Sequence, residues 1–237
     1  ISASGTFTIQ AAASGLTSAT SGNIVSIGKP LAISGYLPDP NGTDAPYEYV
    51  QVIALEDIDF TVTPMSLVWN NNGNATANGW AQGGTLTYKF DLVTGSMTAG
   101  QVAYVGGSAK LINGSGSTDI SGQTWLRSIN NSSTAGDGFG SSGSSIGNGG
   151  ANADGIAVFM GTNVTDTTVP VDAVFFGTSA GSAVFSGGTD GYVVPSNDLY
   201  SGGFLQSGST ILASPASAVF QKLNGVYNTL TRTWTTA

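Results

Sequence analysis

No stretch of this chain sustains a helical repeat of apolar residues. Its apolar residues come in short runs, each closed off by turn-forming residues. The run Tyr47-Glu48-Tyr49-Val50-Gln51-Val52-Ile53-Ala54-Leu55 is apolar on both faces toward its end, as a strand central to a packed sheet should be. Residues 85–92 alternate, with Leu86, Tyr88, Phe90 and Leu92 on one face. Pro38-Asp39-Pro40-Asn41-Gly42-Thr43-Asp44 is a dense turn cluster. Pro64 splits two shorter expected strands, 59–63 and 66–69. Further runs fall at 23–27, 31–36, 101–105, 183–185, 192–194, 218–223 and 231–234. Residues 196–200 read as a short helical turn capped by Ser196 or Asn197. Many short strands with frequent turns predict an all-β sandwich or a related fold, with long Gly/Ser/Asn-rich loops.

One pair of runs organises the pattern. Gly147-Asn148-Gly149-Gly150-Ala151-Asn152-Ala153-Asp154 leads into Gly155-Ile156-Ala157-Val158-Phe159-Met160, and residues 169–177 form a second apolar run. No strand–loop–helix pattern surrounds these glycines, so they do not read as a phosphate cradle. Close packing of backbones explains them better. Asp154 and Asp172 then serve backbone amides at strand starts. Residues 1–22 form either an ordinary first strand or an extended arm that completes a neighbour's sheet, with Phe7 and Ile9 as its contacts. Residues 23–237 read as a single β-sandwich domain whose C-terminal β extension is 178–237.

Charge narrows the function. Only 8% of the 237 residues are charged, the net charge is -8, and the six basic residues are scattered. A nucleic-acid footprint or a polybasic membrane patch needs clustered cations, so neither partner is expected. No apolar run has the length of a membrane span, so no membrane insertion is expected. Cysteine and histidine are both missing. That excludes disulfides and thiolate metal sites, and it removes the commonest general base. The start at Ile1 reads as a processed mature chain, and the sequons at Asn41, Asn74, Asn113, Asn130, Asn131 and Asn163 fit an extracellular, cell-surface setting.

The order of motifs resembles the lamin tail domain family, in its bacterial secreted branch. The turn 39–44 before Tyr47-Glu48-Tyr49-Val50-Gln51-Val52 is similar to the family's opening, although Gln51 replaces a second acid and Val52 a leucine. The stretch 95–105 resembles its middle, and 150–159 followed by 170–177 resembles its closing strand pair. The resemblance covers about 34–177. It implies an immunoglobulin-like β-sandwich used as an accessory or interaction module, with no reaction attached.

Three constellations have chemical potential. Glu48 and Glu56 are the only glutamates, and paired with an aspartate they suggest glycosidase-like acid–base work. The thin set of catalytic side chains argues against an enzyme. Calcium is the one cofactor considered, because it takes oxygen ligands. Its two candidate sets are Asp39, Asn41 and Asp44, and then Asp137, Asn152 and Asp154 with Asn148. Turn chemistry explains the same residues without a metal. Aromatic residues within strands belong to the core, but Trp80 sits in a loop and reads as an exposed contact for a subunit or a glycan. The resulting expectation is a secreted structural protein whose partner is a homo-polymer, a filament or surface layer joined by strand complementation. The alternative is an adhesin or carbohydrate-binding module.

Overall fold

The computed structural model describes residues 5–8, 10–11, 14, 19–21, 24–26, 28–70, 79–81, 87–129, 146–150, 153–165, 167–178, 191–206, 208–231 and 233–236. Nine strands build two facing sheets. They are β1 (Leu31–Leu37), β2 (Tyr49–Ala54), β3 (Met65–Asn70), β4 (Thr87–Leu92), β5 (Val102–Gly107), β6 (Trp125–Ile129), β7 (Asp154–Met160), β8 (Asp172–Phe176) and β9 (Gln221–Lys222). The first sheet runs β6-β5-β2-β1-β9 and the second β8-β7-β3-β4. All pairings are antiparallel except β5 with β6. The all-β sandwich expected from the pattern of short runs is the observed fold.

Alternation decides what each strand buries. Met65, Leu67 and Trp69 of β3 face the five-stranded sheet, as do Tyr88, Phe90 and Leu92 of β4. They meet Leu31, Ile33, Val50, Val52, Ala103 and Val105 across the interface. Each such large side chain stabilises by about 1.5–3 kcal/mol when fully buried. The strands β7 and β8 are buried on both faces, which is why their sequences are nearly continuous apolar runs. Their far side, with Ala157, Phe159, Ala173 and Phe175, packs on a second core of Trp80, Tyr192, Val194, Tyr200 and Leu205. That layer comes from a 3-10 turn, Gly79–Ala81, and a hairpin of Val193–Ser196 with Ser201–Phe204. A C-terminal hairpin, Gly225–Asn228 with Thr233–Thr236, covers part of the other sheet. Its Tyr227 and Trp234 pack on Ala32, Ile53 and Leu55.

Local differences from the sequence reading have physical causes. The strand expected from Tyr47 starts at Tyr49, because Asp44–Tyr47 form one helical turn closed by Glu48 N–H donating to Asp44 O at 3.0 Å. Of the expected strand 59–63 only Asp59 is extended, as part of Ile58–Asp59, which pairs with Ser96–Met97. Beyond it, Asp59 Oδ1 accepts from Thr61 N at 2.9 Å and folds the chain into a turn. Residues 197–200 are a hairpin turn and not a helix, although Asn197 does cap it. Gly5–Phe7 pairs with Ile24–Ser26, and Gln10–Ala11 with Ala19–Thr20, so these N-terminal strands pair with each other and join neither main sheet.

Candidate functional site

Two buried carboxylates pin the glycine-rich approach to β7. Glu48 lies between the helical turn and β2 and is fully buried. Its Oε2 accepts from Ile146 N at 3.0 Å, while Oε1 has no hydrogen-bond partner. Asp154 opens β7, and its Oδ2 accepts from Gly149 N at 2.6 Å. Gly147 has no room for a side chain: an added Cβ would lie 2.0 Å from Asp154 Cγ. Gly149 adopts φ +67°, and its backbone meets that of Gly177. Loss of solvent pushes the Glu48 carboxyl well above the ordinary range. The negative potential of Asp44 adds to this, the Ile146 amide opposes it, and Asp39 and Asp154 raise it further.

The sign of the linkage is then fixed. Above its ordinary 4.5 an unfolded Glu48 ionises while the folded one keeps its proton, so this group lowers stability as pH rises through that window. Glu48→Gln keeps the shape and the acceptor for Ile146 N but cannot ionise. Thermal melts across pH should show Glu48→Gln gaining on the wild type as pH increases from about 4.5 toward neutrality. Parallel curves would remove Glu48 from this role. Asp172, also raised by burial, titrates in both proteins and cancels in the comparison.

In the set Asp39, Asn41 and Asp44, Asn41 serves loop-to-loop bonding. Its backbone N–H donates to Asn113 O at 2.9 Å and its Nδ2 to Ser115 O at 2.7 Å. Asp44 sits in the first turn of the short helix, and burial followed by the charge of Asp39 raises its carboxyl. Asp137, Asn152 and Ile9 lie outside the described residues, and Phe7 is described only through its backbone pairing. Among the described residues no group of three or more acids is placed so that it could hold a metal ion. Glu48 and Glu56 flank opposite ends of β2. No helix of the described residues is long and apolar enough to cross a membrane.

Trp80 is a correction. It is fully buried in the second core, its Nε1 donates to Val193 O at 2.8 Å, and its ring stacks edge-on to Tyr192 with centroids 4.9 Å apart. The short turn that looked like an exposed loop folds back because the outer face of β7 and β8 must be covered. Trp80 is therefore a core residue and not the exposed aromatic that its loop position suggested. Trp69, Tyr49 and Tyr88 are core, as their strand positions implied. Trp125 is half-buried, stacked on Tyr104 at 5.2 Å and with Lys110 Nζ 5.4 Å from its ring centre.

At the opposite end of the sandwich a polar node ties four segments together. Asp172 Oδ2 accepts from Ile33 N at 2.6 Å. Its Oδ1 meets Lys29 Nζ at 2.8 Å and accepts from Asn197 Nδ2 at 3.0 Å. Asn197 Oδ1 in turn accepts from the backbone N–H groups of Leu199 and Tyr200, both at 2.9 Å. Asp198 lies 3.6 Å from Lys29 Nζ and binds Thr236 N at 2.5 Å, near the C-terminus. Asp172 does serve a backbone amide, as expected of an acid at a strand start, but the amide belongs to β1 in the other sheet. Sequence spacing gave no sign of this, since its partners lie far away along the chain.

Comparison with protein-family models, with characterised proteins and with solved structures finds no match to this chain.

Proposed function

We propose that this protein is a secreted structural subunit that self-associates into an extracellular filament or layer. The observation that carries the proposal is an apolar end on the sandwich. Val62 follows β2, Val93 follows β4, Val102 opens β5 and Val169 precedes β8, so all four sit at the end marked by Leu55. Tyr227 OH donates to Leu55 O at 2.7 Å, which anchors at the same end the C-terminal hairpin that carries Val226 and Leu230. All six are exposed, Val62 at 76% and Leu230 at 90%. Apolar side chains clustered this way mark a contact surface.

The N-terminal strands favour a second copy as the occupant, and the charge balance sets the condition for its approach. Lys29 and Lys89 are held in internal ion pairs, and Arg127 Nη1 donates to Asp91 O at 3.1 Å, so half of the six basic side chains are turned inward. The surface is left acidic, with neutral hydroxyl and amide between the carboxylates, so assembly should be promoted by salt that screens the net charge of -8. The N-terminal strands stand outside both sheets and fit exchange with a neighbour. The lamin-tail resemblance belongs to the same proposal, since its motifs fall on β2, β5, β7 and β8. With Trp80 buried, no observation favours the glycan-binding alternative.

Electron microscopy and sedimentation of three proteins test this: the full chain, a deletion of residues 1–12, and Val226→Asp with Leu230→Asp. The full chain should polymerise and at least one variant should stay monomeric. A full chain that remains monomeric at high concentration overturns the proposal. Polymer at normal yield from both variants overturns the two joints named here.

A further inference from the structure

We propose that Lys29 and Asn197 join through an intramolecular amide bond, Lys29 Nζ to Asn197 Cγ, with Asp172 carrying the protons between them. The inference stands apart from self-association and holds for a monomer as well as for a polymer. It starts from one shared atom. Asp172 Oδ1 bonds both Lys29 Nζ, at 2.8 Å, and Asn197 Nδ2, at 3.0 Å. The attacking nitrogen and the nitrogen that must leave are therefore gathered on one proton acceptor, within the reach that general acid–base transfer needs.

The electrophile is prepared too. Asn197 Oδ1 accepts from two backbone amides, Leu199 N and Tyr200 N, each at 2.9 Å. Two fixed N–H donors on a carbonyl oxygen polarise it, and they stabilise the negative charge that collects there on attack. A turn caps itself with one or two such bonds for purely structural reasons. A lysine amine and a proton carrier at the far nitrogen of the same amide go beyond what a turn requires.

The setting suits the reaction. Asp172 is buried, at 5% exposure, and its other oxygen is fixed by Ile33 N at 2.6 Å. Burial raises its carboxyl, and the positive charge of Lys29 opposes this. A carboxylate whose affinity for protons is increased is suited to taking one from an ammonium and passing it on. Holding the reactants in place removes the entropy cost of bringing them together. Asp198, at 3.6 Å, steadies Lys29 from a second side.

The atoms balance without an oxidant. Lys29 Nζ gives a proton to Asp172, and its lone pair attacks Asn197 Cγ. The carbonyl electrons move onto Oδ1, between the Leu199 and Tyr200 amides. Asp172 delivers the proton to Nδ2, the Cγ–Nδ2 bond breaks, and Nδ2 leaves as ammonia. The second proton lost by Nζ departs with it as ammonium. The product is an amide linking the segment before β1 to the turn of the outer hairpin, across the start of β8. A chain without cysteine would gain a covalent staple this way.

Intact-mass measurement of the folded full chain tests the proposal, before and after prolonged incubation. The wild type should be lighter than its sequence mass by one ammonia, and a digest should yield one branched peptide joining the segments of Lys29 and Asn197. Lys29→Arg keeps the charge beside Asp172 but offers no amine for amide formation, so it should fold and keep its full mass. Asp198→Asn leaves the three reacting groups in place and should still cross-link. Wild type at full sequence mass after incubation overturns the proposal. So does a mass lower by one ammonia that persists in Lys29→Arg, because that would be succinimide formation at an asparagine and not a cross-link.

Discussion

Trp80→Ala should lower the unfolding free energy by about 3–5 kcal/mol, the usual cost of removing a buried tryptophan ring. The ring is fully buried between the outer face of β7 and β8 and the hairpin layer. It lies 5.1 Å from Phe175 and 4.9 Å from Tyr192, centre to centre, so its loss opens a cavity lined by aromatic rings. The substitution also strips the donor from Val193 O, a bond of 2.8 Å. Collapse cannot refill the space cheaply, because Tyr192 already sits against Gly79, where an added Cβ would lie 2.3 Å from its ring. Trp80→Phe retains part of the ring but not the N–H, and should fall between alanine and wild type. Denaturant unfolding followed by circular dichroism measures both. A loss below about 1 kcal/mol for Trp80→Ala would place the residue outside the core.

Trp80 also marks where the sequence stops being legible. Strand faces are written locally: Tyr88, Phe90 and Leu92 alternate, and each lands in the interior between the sheets. The double burial of β7 and β8 is equally local, in the apolar runs 156–159 and 173–176. What covers the outer face of those strands is not written near them. Trp80, Tyr192 and Leu205 come from three separate segments and meet only because that face needs a cover. The aromatic in a polar stretch looked exposed, because nothing in its neighbours shows a chain returning to the core.

Charged residues follow the same division. That Asp154 and Asp172 serve backbone amides was readable from their position at strand starts. Which amides they serve was not. Asp154 serves Gly149, five residues back, whereas Asp172 serves Ile33, in the other sheet. Glu48 was noticed as one of two glutamates, but its grip on Ile146 depends on how the sheets face each other. The Lys29–Asp172–Asn197 node is the extreme case. Three unremarkable residues acquire a shared chemistry only through tertiary structure.

Gly147→Ala and Gly150→Ala should separate sharply although the residues lie three apart in one loop. At Gly147 the new methyl would sit 2.0 Å from Asp154 Cγ and 2.2 Å from both carboxylate oxygens. The Asp154 carboxylate cannot swing aside without giving up its bond to Gly149 N at 2.6 Å. Either the loop moves or the carboxylate turns away, and each breaks a buried charge-assisted bond. Overpacking costs about 1–3 kcal/mol and such a bond contributes about 1.5–3 kcal/mol, so a loss of about 3 kcal/mol is expected. At Gly150 an added Cβ meets nothing within 4 Å, and the residue is exposed. Gly150→Ala should therefore change stability by less than about 0.5 kcal/mol, as surface substitutions usually do. Chemical denaturation of the two variants decides the matter. Equal, small effects would mean that these glycines are there for loop freedom alone. A large effect confined to Gly147 would mean that the loop is glycine-rich because a buried carboxylate occupies the space a side chain would need.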